Sequence, residues 1–180
     1  LVLVIDLQDK LLNIIDTKLV TKVINNTSLL LDSASNLDIP IVITEHCKNS
    51  LGGTTKKLFT PNNNISIIQK TSFNCFGEST FVEALKRKKK KNIIITGMET
   101  HICVLQTALD LISLNYNVFI LIDSVLSTTK LKWSRGLNYL DKCGCHLIPV
   151  ESVLFQFYQN VDHPYFKTFI KKLKEFNSIQ

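Results

Sequence analysis

The stretch Leu1-Val-Leu-Val-Ile-Asp6 decides the fold. It is apolar throughout and ends on a carboxylate, which is typical of a strand buried on both faces of a parallel sheet. Further strand-like runs lie at residues 41–44, 65–70, 92–97, 118–123 and 145–149. Helical patterns lie at residues 17–36, 78–90, 102–115, 130–142, 151–159 and 164–176. Buried strands joined by helices require right-handed crossovers, so the sequence predicts a three-layer α/β protein with a parallel sheet.

The intervals between these elements are short, with one exception after the second strand. Residues 45–62 contain Gly52, Gly53 and Pro61, which predict a long loop. Loops of this length in compact domains are often lids or rims of functional sites.

Length and composition are those of one folded domain, residues 1–180, with terminal helices from about residue 151. Hydrophobic residues make up 45% of the chain, which excludes disorder as its main state. No apolar run reaches the roughly 18–20 residues of a membrane span. The net charge of +6 comes largely from lysine clusters at 86–91 and 167–174. No aromatic or glycine pattern accompanies them, so nucleic-acid binding is not favoured.

The cysteines, at positions 47, 75, 103, 143 and 145, are odd in number, and no secretory signal is recognisable. A disulfide framework is therefore disfavoured, and a reducing, cytoplasmic location is predicted. The chain opens at Leu1, inside a strand-like run and without an initiator Met. Residues ahead of it that carry an organellar targeting signal remain an open alternative.

Three side chains of complementary chemistry are predicted at the carboxyl edge of the sheet, where open α/β folds bind ligands. Asp6 ends the first strand, Lys70 ends the third, and Cys103 follows the fourth at a helix start. A helix N-terminus and a nearby lysine would favour a thiolate nucleophile, and a carboxylate could take the thiol proton. Each residue also has a structural interpretation: an inert buried thiol, a turn cap and a surface lysine.

Four ordered motifs carry a resemblance to a known family. They are Val4-Ile-Asp-Leu-Gln8; Ile41-Val-Ile-Thr-Glu45, followed by Leu51-Gly52 and Thr54; Lys70-Thr-Ser-Phe73 with Phe76; and Thr96-Gly-Met-Glu-Thr-His-Ile-Cys-Val-Leu-Gln-Thr-Ala108. The last is highly specific, and residues 118–127 continue in the same manner. From Leu1 to about Phe157 the chain resembles the isochorismatase-like cysteine hydrolases, and most closely the branch of isochorismatase-domain-containing proteins.

The resemblance implies a six-stranded parallel sheet of order 3-2-1-4-5-6, of Rossmann type. It implies a catalytic triad of Asp6, Lys70 and Cys103. It also implies a cis peptide between Met98 and Glu99, and an oxyanion hole made by the backbone N–H groups of Glu99 and Cys103.

Nicotinamidases of this family bind zinc through an Asp-x-His pair after the second strand and another His. Here that place reads Glu45-His-Cys47, so no metal and no other cofactor is predicted. Predicted pocket residues are Gln8, Glu45, Phe73 and His101. Glu45 and its neighbour His46 could equally be loop residues, Phe73 could fill the core, and His101 could face solvent or a neighbouring subunit.

The implied function is cleavage of a small amide C–N bond through a thioester on Cys103. The implied partners are a small-molecule amide and further copies of the chain, as a dimer or tetramer, with Trp133 in the subunit interface. Two alternatives stay open. One is a catalytically silent or redox-responsive binding protein of the same fold, and the other is a nucleic-acid-associated protein that uses the lysine clusters.

Overall fold

A six-stranded parallel sheet forms the centre of the computed structural model, which describes residues 1–58 and 65–177. Its strands are β1 (Val2–Ile5), β2 (Ile41–His46), β3 (Ile65–Lys70), β4 (Asn92–Met98), β5 (Asn117–Leu126) and β6 (His146–Ile148). Their order is β3-β2-β1-β4-β5-β6, and every neighbouring pair is parallel. The predicted α/β class and strand order are confirmed.

The helices are α1 (Asp9–Leu12), α2 (Thr17–Asn36), α3 (Lys48–Leu51), α4 (Ser79–Lys88), α5 (Leu105–Ser113), α6 (Lys130–Lys142), α7 (Val150–Tyr158) and α8 (Phe166–Asn177). Short 3-10 turns lie at Lys56–Leu58 and Cys75–Gly77, and a π-helical turn at Thr100–Val104. Helix α2 starts where the Asp16 carboxylate accepts hydrogen bonds from two backbone N–H groups of its first turn. In the described ranges, no helix has the length and apolar character needed to cross a membrane.

Two apolar cores lie on the two faces of the sheet, and β1 contributes to both. Val2 and Val4 pack with α2, α7 and α8, whereas Leu3 and Ile5 pack with α4, α5 and α6. Successive residues of a strand point to opposite faces, and both faces of β1 are covered by helices. None of the four side chains is therefore exposed to solvent. This is why the first stretch of the sequence is apolar without alternation.

The ends of β1 and β4 approach each other unusually closely. Gly97 pairs with Ile5 and has a φ of 123°, and a Cβ at this position would lie 2.0 Å from the Ile5 carbonyl oxygen. Only glycine permits this contact. The contact fixes the chain just before Asp6 against the strand that leads to Cys103.

The structure differs from the predicted elements in three places. Strand β2 continues to His46 and is followed by α3, where a loop over 45–62 was predicted; residues 59–62 of that loop lie outside the described ranges. Strand β5 extends to Leu126, and the helix predicted from residue 102 is preceded by the π-helical turn. Tertiary hydrogen bonds explain the longer strand: the carbonyl groups of Asp123 and Ser124 accept from Asn26 and Thr96 side chains.

Candidate active site

Asp6, Lys70 and Cys103 meet at the carboxyl edge of the sheet, after β1, at the end of β3 and in the π-helical turn after β4. The Lys70 Nζ atom lies 2.6 Å from Asp6 Oδ2 and 3.7 Å from Cys103 Sγ. All three residues are buried. Side chains separated by up to 97 positions along the chain thus form one cluster of an acid, a cation and a thiol.

Asp6 is held by its own backbone and by β2. Its φ of 53° is left-handed, a conformation that aspartate tolerates better than most residues. The Asp6 N–H donates to the Thr44 carbonyl oxygen at 3.2 Å, and Thr44 Oγ1 donates to Asp6 Oδ1 at 2.7 Å. One carboxylate oxygen is therefore fixed by a hydroxyl, and the other pairs with the ammonium.

Lys70 is surrounded by oxygen acceptors although its side chain is fully buried. Besides Asp6, its Nζ donates to the carbonyl oxygens of Ser72 at 3.1 Å and Phe73 at 3.3 Å. Burial acts to lower the pKa of Lys70, but Asp6 and then Cys103 outweigh it and raise the pKa above its ordinary value. The group is therefore a permanent ammonium in the resting site.

The surroundings of Cys103 do not favour the predicted thiolate. Burial, and next the negative charge of Asp6, raise the pKa of Cys103 to about 12, while Lys70 acts in the opposite direction. The residue also lies within a π-helical turn, and α5 begins only at Leu105. The expected stabilisation of a thiolate by a helix N-terminus is therefore wrong, because desolvation and the adjacent carboxylate dominate.

A pH dependence follows from this shift. A raised pKa keeps the thiol protonated below that value, so alkylation of Cys103 by iodoacetamide should rise about tenfold per pH unit from pH 7 to 10 without a plateau. A free cysteine peptide, with a thiol pKa near 8.5, should level off above pH ~9. Mass spectrometry of the Cys103 peptide gives the rate at this residue. A plateau for Cys103 below pH 9 would contradict the buried, protonated thiol.

The turn that carries Cys103 is closed on itself and packed against α6. The Met98–Glu99 peptide bond is cis, and the N–H groups of Ile102 and Val104 both donate to the Glu99 carbonyl oxygen. A Cβ on Gly136 of α6 would lie 3.2 Å from the His101 backbone, so α6 and the turn are in direct contact. The backbone around Cys103 is thus rigidly held.

Gln8 and Glu45, which were predicted to line a pocket, anchor the segment after β2 instead. The buried Gln8 side chain accepts from the His46 N–H and donates to the carbonyl oxygens of His46 and Gly52. Glu45 Oε1 accepts from the N–H and hydroxyl of Thr54, and its Oε2 pairs with Lys48. Because these polar groups already bind the protein itself, the structure places neither residue as a wall of the pocket.

The other two predicted pocket residues, Phe73 and His101, lie in different surroundings. Phe73 is 54% exposed and its ring centroid lies 5.3 Å from that of His46, directly beside the Lys70 acceptors. The His101 Nδ1 atom lies 3.1 Å from Ser127 Oγ and 3.5 Å from Glu99 Oε2, so its ring faces the end of β5 and not the triad.

Sequence reasoning did not predict the hydrogen bond from Thr44 to Asp6, and it did not predict that the His46 ring contacts Phe73. Thr44 is the one hydroxyl in the apolar strand Ile41-Val-Ile-Thr44, which could have identified it. Among residues 1–58 and 65–177, no group of three or more His, Cys, Asp or Glu side chains is arranged to hold a metal ion.

Comparison with known proteins identifies the family of the chain. The family model "Isochorismatase domain" matches residues 1–152. "Isochorismatase family protein 2A" of Dictyostelium discoideum is 32% identical over 185 residues, covering 97% of this chain and 92% of the relative. The solved structure of the MAR1 ribonuclease from Caenorhabditis elegans is 30% identical with a TM-score of 0.88, and the match covers 96% of this chain and 88% of that one.

A second solved structure adds support for the fold. The Escherichia coli YcaC gene product, an octameric hydrolase of unknown specificity, has a TM-score of 0.76 at 21% identity, and the match covers 99% of this chain and 94% of that one. The fold and the matches along nearly the whole length agree, and the chain belongs to the isochorismatase family of hydrolases.

Proposed function

We propose that the protein is a cysteine hydrolase that cleaves a small amide C–N bond through a thioester on Cys103, without a metal. The observation that carries the proposal is the Lys70 ammonium in contact with both Asp6 and the Cys103 sulfur. A buried acid, cation and thiol in mutual contact have the parts that nucleophilic acyl transfer requires.

The first half of the reaction forms the thioester. Asp6 accepts the Cys103 proton as the sulfur attacks the carbonyl carbon, so the thiol need not ionise beforehand. We propose that the backbone N–H groups of Glu99 and Cys103 bind the oxyanion of the tetrahedral intermediate. Asp6 then gives its proton to the nitrogen, the C–N bond breaks, and ammonia or an amine leaves.

The second half restores the enzyme. Asp6 takes a proton from water, whose oxygen attacks the thioester carbon. The C–S bond then breaks, the carboxylic acid leaves, and Asp6 returns the proton to Cys103. Lys70 remains protonated throughout and stabilises the negative charge as it passes between carboxylate and sulfur.

The experiment is a screen of small amides for ammonia release, followed by acid quenching and mass spectrometry of the Cys103 peptide. The proposal expects turnover of at least one amide and a mass increase at Cys103 equal to its acyl group. Turnover without any acyl adduct would contradict the thioester. A reactive Cys103 with no turnover of any amide would favour the alternative of a redox-responsive binding protein.

RNA is a second class of substrate to be tested, because the relative from C. elegans is titled a ribonuclease. The lysine cluster at 86–91 covers the end of α4 and the link to β4. The link enters β4 at the amino edge of the sheet, opposite the triad, which disfavours a role in holding a strand over Cys103. We propose a small-molecule substrate and no membrane or nucleic-acid partner; cleavage of single-stranded RNA that depends on Cys103 would overturn this.

The proposed assembly is a homo-oligomer. An apolar cavity of about 440 Å³ lies between α2 and the segment from β5 to α6, and Leu19, Ile122, Leu126 and Trp133 line it. Because the similar YcaC protein is octameric, we propose that this face is a subunit interface. The five cysteines are all free, which suits the cytoplasmic location that we propose.

A further inference from the structure

His46 is placed beside the triad by the register of the sheet. It is the last residue of β2 and pairs with Lys70, the last residue of β3. Paired residues of adjacent strands project from the same face of a sheet, so the imidazole leaves the sheet next to the lysine side chain. The His46–Lys70 pair therefore lies at the carboxyl edge of the sheet, where Lys70 contacts Asp6 and Cys103.

The backbone of His46 is held on both sides by one buried side chain. Gln8 Oε1 accepts from the His46 N–H at 2.7 Å, and Gln8 Nε2 donates to the His46 carbonyl oxygen at 3.0 Å. Cys47, the next residue, donates its N–H to the Lys70 carbonyl oxygen at 2.8 Å. These bonds fix the His46 backbone at the end of β2, from which the imidazole projects.

The imidazole and the Phe73 ring pack against each other, and both residues are neighbours of Lys70. Their centroids are 5.3 Å apart with an interplanar angle of 31°, and the Phe73 carbonyl oxygen accepts from Lys70 Nζ. Half of Phe73 is exposed, while the Lys70 side chain is buried. An exposed aromatic ring fixed against a second ring is a surface for stacking.

The surroundings of the His46 ring favour its uncharged form. Burial and then the Lys70 ammonium lower its pKa below the ordinary value, against the opposing effects of Asp6 and the Ser72 carbonyl. A neutral imidazole stacks on other rings without the hydration that an imidazolium would demand.

We infer that His46 and Phe73 form the specificity wall of the Cys103 site, and that this wall selects substrates with a planar, aromatic or conjugated group next to the scissile amide. The inference rests on the proposed function for the identity of the reacting bond. It concerns binding, and can therefore be tested without turnover.

The test compares benzamide with cyclohexanecarboxamide, two neutral primary amides of similar size of which only the first is planar. Their dissociation constants come from the concentrations that protect Cys103 from iodoacetamide, read by mass spectrometry. In the unmodified protein, benzamide should bind about three- to tenfold more tightly, as expected for aromatic stacking. His46→Phe should keep this preference, and His46→Leu, of similar volume but not aromatic, should reduce the ratio to about one.

Tyr139→Leu, which removes an exposed ring of α6, is the matched control and should leave the ratio unchanged. Equal binding of both amides by the unmodified protein, protection by neither, or an unchanged preference in His46→Leu would each overturn the inference. Preferential binding of benzamide without hydrolysis of any amide would support the wall while contradicting the hydrolase, so the two failures are distinguishable.

Discussion

Cys103→Ala is expected to abolish amide hydrolysis and to lower kcat/KM by about 10⁴-fold or more, because it removes the sulfur that forms the thioester. The substitution removes one buried sulfur and leaves the small Cβ, so the fold should remain intact. The cost in the free energy of unfolding should be about 1 kcal/mol, as for the loss of a small apolar group. Ammonia release gives the activity, and denaturant unfolding gives the stability.

Cys145→Ala is the matched control. Cys145 is equally buried, and burial likewise raises the pKa of Cys145 to about 12, but it precedes β6 at the opposite edge of the sheet. Its alanine variant should have the same small loss of stability and full activity. Hydrolysis by Cys103→Ala within tenfold of the unmodified protein would refute the nucleophile.

Lys70→Met should reduce both stability and activity, because it leaves the Asp6 carboxylate buried without its cation. Removing one partner of a buried ion pair costs about 3–5 kcal/mol. We expect this loss in the free energy of unfolding, together with a fall of about 10³-fold in kcat/KM. The double variant Asp6→Asn/Lys70→Met removes both charges, so it should recover most of the stability and none of the activity.

The contrast with a surface ion pair provides the control. Lys172 of α8 lies 2.5 Å from Asp32 of α2, but both side chains are partly exposed. Lys172→Met should cost less than about 1 kcal/mol, because water and salt screen such pairs. If Lys70→Met were as stable as Lys172→Met, the Asp6–Lys70 contact could not be the tight buried pair that the mechanism requires.

The two sets of variants distinguish a contribution to the reaction from a contribution to the free energy of unfolding. Cys103 contributes the reacting atom and little to stability, whereas Lys70 contributes to both. Replacing both partners of a buried ion pair by apolar groups is often neutral or stabilising, so the Asp6–Lys70 pair as a whole is explained by the reaction and not by folding.

The succession of strands and helices along the chain, and the α/β class, could be predicted from residues near each other in sequence, whereas the strand order within the sheet came from the family resemblance. Leu1 to Ile5 are apolar without alternation because both faces of β1 are covered, and that pattern identifies a central parallel strand by itself. The carboxyl edge as the place for Asp6, Lys70 and Cys103 follows from the same reasoning, since parallel strands all end there.

What only the tertiary structure decided is the environment of those groups. Whether Cys103 is a thiol or a thiolate depends on its burial and on the distance of Asp6 and Lys70, which no local pattern contains. The roles of Gln8 and Glu45 as anchors, and of His46 as a neighbour of Lys70, likewise depend on hydrogen bonds and strand register between distant segments. Local sequence thus determined which side chains reach the edge of the sheet; desolvation and pairing, which act through space, determined their state.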